Sequence, residues 1–226
     1  MNGTSGIEKA AMLDARDDTS RRSAAIHEAG HALALWWNGL RIFSATVPTV
    51  LESPRRVVTE PNGQVQGNGA SVVGKSFRLI AETLTPEIVL DTPSLAGIIH
   101  REVLICYAGP VAEAASSGAS LDDVMLRGGG QMDLQHAYDM MQALPEAWRG
   151  SVDVTAERRA RVLIGRYWPA ICALADLLQV AGTVDGETVN AFLKAATGDT
   201  PGLMEKALTD LDAEPADAGE GGKDGW

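Results

Sequence analysis

The chain has 226 residues, 45% of them hydrophobic, and a formal net charge of −11. That length and apolar content suffice for one sizeable core, so a single domain with loose ends is expected. The acidic balance counts against a nucleic-acid binder, which needs cations to neutralise phosphates.

In chain order, residues 1–19 read as a flexible N-terminal segment. Asp17, Asp18, Thr19 and Ser20 then offer N-caps to a proline-free helical run over residues 21–38, with Gly39 placed as its C′ stop. Ile26, Ala29, Leu33, Trp36 and Trp37 supply an apolar face that would bury this helix. The same helix carries the most informative stretch of the chain, His27-Glu28-Ala29-Gly30-His31. Histidines four apart lie on one helical face, one turn from each other, and both can reach a single metal ion. Glu28 is rotated roughly 100° around the helix, where it meets a water on the metal as general base without having to be a ligand. This is the pattern of a zinc hydrolase. Gly30 costs about 1 kcal/mol against alanine inside a helix, which implies that another segment approaches the backbone closely there.

Beyond Gly39, residues 41–50 alternate and are rich in β-branched side chains, and residues 56–59 lead into a Pro61-Asn62-Gly63 turn. These two strands could form an antiparallel ribbon beside the metal helix. Helical periodicity returns near residues 76–84 and again over 94–115, where Gly109 and Pro110 are expected to break it. The glycine-rich turn 128–130 opens a helix from Met132 to about Leu144. Further helices fit 155–167, 169–180 and 187–196, the last capped by Asp185. The fold class is therefore mainly α with a small antiparallel β ribbon. Residues 20–198 form the domain, and 199–226 form a short helix and a disordered tail in which Asp210, Asp212, Glu214, Asp217, Glu220 and Asp224 stand among glycines and alanines. The longest apolar stretch, 98–115, is interrupted by His100, Arg101 and Glu102, so no membrane segment is expected. Cys106 and Cys172 have no CxxC spacing and no secretory leader before them, and read as buried free thiols of a cytoplasmic protein.

A second motif points elsewhere. Gly69-Ala70-Ser71-Val72-Val73-Gly74-Lys75-Ser76 satisfies the GxxxxGK[ST] phosphate-loop pattern, and residues 88–91 imitate the acidic strand that follows such a loop. A nucleotide fold needs a buried parallel sheet with crossover helices, for which this interval is too short, and residues 62–68 are polar and glycine-rich where its first strand should be. Gly69, Gly74, Lys75 and Ser76 are accordingly read as part of a surface loop.

The two histidines leave a catalytic zinc one protein ligand short. Asp133, Glu113, His136 and His100 are the candidates. Asp133 lies in the first turn of a helix after a glycine turn, although the helix dipole favours an aspartate there with or without a metal.

Residues 25–33 (Ala-Ile-His-Glu-Ala-Gly-His-Ala-Leu), 107–113 (Tyr-Ala-Gly-Pro-Val-Ala-Glu) and 133–137 (Asp-Leu-Gln-His-Ala) together resemble the peptidase domain of the FtsH family of zinc proteases. The similarity continues over 173–189, and in all it spans most of residues 20–196. It implies a zincin-like helical peptidase with one Zn²⁺, Asp133 as third ligand, and Glu113 orienting a histidine ligand. It also implies a protein or peptide substrate. Met132 stands where the family has asparagine, Pro110 replaces an arginine, and the interval from His31 to Asp133 is longer than the family's. The family's AAA ATPase and membrane helices precede its peptidase, whereas only residues 1–19 precede it here, so the domain is expected to stand alone; a separate ATPase partner and the oligomeric state stay open. Two rivals stand beside the protease: an inactive zinc-stabilised binding or regulatory module, and a helical interaction protein with no metal. The intact Glu28 argues for the protease, since a structural zinc needs no base.

Overall fold

Residues 7–16 are rich in alanine and other good helix formers, and helix α1 accordingly runs from Gly6 to Trp37. Asp17 to Ser20 therefore lie within a helix rather than at its start, and residues 6–19 of the expected flexible N-terminal segment are helical. The computed structural model describes residues 6–48, 57–59, 65–67, 70–74 and 92–201. Among these it is mainly helical, with seven helices and a small antiparallel sheet, as the sequence leads one to expect. The tail beyond 201, the helical pattern at 76–84 and the acidic stretch at 88–91 lie outside the described residues.

α1 ends as its sequence requires. Gly39 takes φ +68°, its N–H donates to the Trp36 carbonyl (2.9 Å), and the Leu40 N–H donates to the Leu35 carbonyl (3.0 Å). This pair of bonds is a Schellman stop. Burial is not confined to one face: from Ala25 to Trp37 every side chain except half-buried His31 is buried. The reason is that α1 is the axis of the molecule, packed by α2 (Thr92–Ser117) on one side and by α6 (Trp168–Ala181) and the sheet on others.

α2 does not break at Gly109 and Pro110. It continues through them to Ser117, because the segment is buried between α1, α4 (Gln131–Met141) and α5 (Glu146–Arg166), and that packing holds the helix where proline removes one backbone bond. By length and composition Leu95–Ser117 would suffice to cross a membrane, and here it is largely enclosed by other helices. A short helix that sequence reasoning missed, α3 (Leu121–Arg127), is N-capped by Ser120, whose Oγ accepts from the Asp123 N–H at 3.1 Å. The Ser-x-x-Asp signature was there to be read.

The strands pair differently from the expected ribbon. β1 (Ile42–Thr46) is the centre of a sheet ordered β4-β1-β5, with β4 (Ser71–Gly74) and β5 (Thr183–Asp185) antiparallel on either side. β2 (Val57–Thr59) instead pairs with β3 (Val65–Gly67), in register Thr59↔Val65. The strand before Pro61 thus meets the next strand along the chain, a cheaper closure than a distant partner. Ser71 to Gly74, read as loop, is an edge strand. β5 leads directly into α7 (Gly186–Thr197), which Asp185 caps by accepting from the Thr188 N–H at 2.9 Å.

Candidate metal centre

His27 and His31 project from α1 toward α2 and the start of α4. His27 Nε2 and His31 Nε2 stand 3.0 Å apart. Asp133, from the first turn of α4, places Oδ2 3.1 Å from His27 Nε2 and Oδ1 3.2 Å from His31 Nε2. One ligand atom from each of the three lies within 4.8 Å of the others, and no other such group occurs among the described residues. Donor atoms around a tetrahedral zinc at about 2.0–2.1 Å are about 3.3 Å apart, so the spacing suits one ion.

Hydrogen bonds at the other ring nitrogens decide what these atoms offer. His27 Nδ1 donates to Glu113 Oε2 at 2.8 Å, and His31 Nδ1 donates to the Ile105 carbonyl at 2.8 Å. With both Nδ1 atoms donating, neutral imidazoles direct two bare Nε2 lone pairs and a carboxylate at one point. Three converging acceptors repel one another unless a cation lies between them.

The electrostatics agree. Burial opposes charge on His27, yet its bonds to Asp133 and Glu113 outweigh burial and raise its pKa to about 10. Burial likewise opposes charge on His31, and Asp133 outweighs it. Burial pushes against ionisation of Asp133 too, but the two histidines hold its carboxyl well below the usual range. The centre retains positive charge, which a proton or a metal ion can provide.

Glu28 is buried and outside the ligand set. Burial raises its pKa above the ordinary carboxylate value, against the pull of His27 and His31, and the Val72 backbone N–H donates to it. That contact explains the edge strand. The Val47 N–H donates to the Gly182 carbonyl on the β5 side, so alternation turns Ser44 and Thr46 toward β4 and leaves Val72 facing outward, onto α1.

Of the alternative third ligands, Glu113 supports His27 from behind, His136 pairs with Glu102 (Nε2 to Oε1, 3.1 Å), and His100 is not in the group. Among the phosphate-loop residues, Gly74 ends β4 against Leu35, while Gly69, Lys75 and Ser76 lie outside the described residues. A strand at 71–74 is not the loop that cradles a phosphate. β1 is interior to its sheet, and β4 lies at one edge. Cys106 and Cys172 are free thiols, the first buried, the second half-buried.

Several contributors escape sequence reasoning. Gly109 lies against the His31 ring, where a Cβ would come closest to Nε2 and stand 2.7 Å from Cδ2 and Cε1. A Cβ on Gly30 would meet the Ala108 carbonyl oxygen at 2.5 Å, which is the close approach that this glycine implied. A Cβ on Gly129 would meet Glu113 Oε2 at 2.7 Å. The Ile105 carbonyl and the Val72 N–H are backbone groups and leave no mark on the sequence. On α2, Glu102, Ile105, Gly109 and Glu113 recur at three- and four-residue steps, so one stripe of a single helix backs the whole centre. Neither protein-family models nor curated proteins give a match to this chain.

Proposed function

We propose that the chain is a zinc-dependent metalloendopeptidase, similar to the FtsH peptidase domain, that hydrolyses peptide bonds of unfolded or flexible protein substrates. The observation that carries this reading is the convergence of His27 Nε2, His31 Nε2 and the Asp133 carboxylate, with Glu28 buried one residue from the first ligand. Two imidazole nitrogens and one carboxylate oxygen are donors that zinc takes, and three protein ligands suit a catalytic rather than a closed structural zinc. Zinc held there would supply Lewis acidity toward water and a peptide carbonyl.

The protein's own groups do the remainder. Glu113 and the Ile105 carbonyl fix the imidazole tautomers. Glu28 takes the proton of the attacking water and returns it to the leaving nitrogen; a carboxyl whose pKa is raised by burial is better matched to both transfers than an exposed one. The Val72 N–H holds that carboxylate toward the centre.

The test is cleavage of an unfolded protein such as casein, with and without chelator, alongside metal analysis. Glu28→Gln is expected to retain one zinc per chain and lose activity by about 10²- to 10⁴-fold. A variant as active as the parent would remove Glu28 as the base.

A further inference from the structure

Asp133 is the one ligand not borne on α1, and something must set its position. α4 packs on α2 and α3, and Asp133 is its polar link to α1. The helix is entered through three glycines, and its N-cap, Gly130, makes no side-chain cap bond. The buried side chains of α4, Ala137, Met140 and Met141, all lie beyond Asp133, and in the first turn Leu134 touches the core only in part. The entry is anchored through the backbone, where Gly130 packs on Pro110 and Met125 and its N–H donates to the Val124 carbonyl at 3.1 Å, and such an anchor leaves the rotation of the helix about its axis to the side chains.

His136 lies three residues after Asp133, on the same face of α4. Its Nε2 is 3.1 Å from Oε1 of Glu102, a carboxylate on α2 whose side chain is only 6% exposed. A hydrogen bond sheltered in this way is stronger and more directional than one in water. We infer that His136, held by Glu102, is a positioning residue that fixes the rotation of α4 and so places the Asp133 carboxylate; the inference rests on the metal-centre reading above. The lever is short. A roll of about 10° around α4 moves a carboxylate about 5 Å from the axis by about 0.9 Å, several times the roughly 0.2 Å latitude of a metal–ligand distance.

The test uses the full chain and Co²⁺, whose visible bands report ligand geometry. His136→Leu is expected to weaken Co²⁺ binding about 10- to 100-fold and to shift the bands, the usual scale for losing support behind a ligand. His136→Gln, whose amide can still donate to Glu102, is expected to restore affinity and bands to near the parent. Should His136→Leu fail to fold, His136→Asn, too short to reach Glu102, carries the same two outcomes. Parental Co²⁺ affinity and spectrum in the Leu or Asn variant would overturn the inference, even with a lower melting temperature, since that is the result of a merely structural pair. Failure of the Gln variant to recover would overturn it as well. A parent protein that takes up no stoichiometric Co²⁺ would instead sink the metal-centre reading itself, which the parent titration shows before any variant is made.

Discussion

Gly109→Ala sets two effects of known size against each other. In a helix interior, alanine is favoured over glycine by about 1 kcal/mol. The added Cβ, however, would stand 2.7 Å from both His31 Cδ2 and Cε1, where ordinary contact begins at 3.4 Å. Nε2 would lie closer still, so the ring must retreat by about 1 Å, and it is held by its bond to the Ile105 carbonyl on the same helix as the new methyl. Overpacking of this kind costs about 1–3 kcal/mol, so the metal-free protein should lose about 0–2 kcal/mol net, or at most about 8 °C in Tm for a chain of this size. The centre should suffer more, because His31 Nε2 moves with the ring. A loss of about 100-fold in zinc affinity, about 2.8 kcal/mol, is expected by competition with a chromogenic chelator. Parental affinity in this variant would refute the contact between Gly109 and His31 on which the reasoning depends.

Gly30→Ala should destabilise through the Ala108 carbonyl by about 1–2 kcal/mol despite its better helix propensity, and a raised Tm would contradict the close crossing of α1 and α2. Asp133→Asn removes the carboxylate, and metal analysis should find zinc lost while the metal-free protein keeps its helical circular dichroism; retention of stoichiometric zinc would exclude Asp133 as a ligand. A third expectation concerns pH. His27 has its folded pKa raised from 6.5 to about 10, so its contribution to the metal-free fold is fully present below about pH 6.5 and is lost as pH rises through 10. Metal replaces that proton, so the rise in Tm on adding zinc should widen from pH 6 to pH 9, and a constant or shrinking increment would show that the histidines are not the site of binding.

What was legible in the sequence was local. The His27-to-His31 spacing, the stop at Gly39 and the Asp185 cap each depend on residues within one or two turns, and all three are found. Asp133 is 106 residues from His27, and spacing alone could not choose it over Glu113, His136 or His100; only the resemblance did. The unbroken course of α2 through Pro110 was not legible, because packing from three neighbouring helices overrides a local penalty. Nor was the sheet, whose centre and outer strands are joined by pairings such as Ser44↔Asp185. Glu102 could have been noticed as a charge inside an apolar helical run, which asks for a buried partner. The backbone donors and acceptors at Val72 and Ile105 could not.

The placement of α1 at the axis has a consequence for synthesis. Arg22 on α1 bonds Gln179 on α6, 157 residues later in the chain. At about 5–20 residues per second, the helix bearing both histidines waits some 8–30 s for that neighbour to emerge. Throughout that interval the nascent chain carries His27, Glu28 and His31 but lacks the rest of their enclosure, with Asp133 itself arriving two-thirds of the way through. A centre built across such separations is completed only late in synthesis, so whatever chemistry it performs begins after most of the chain has left the ribosome.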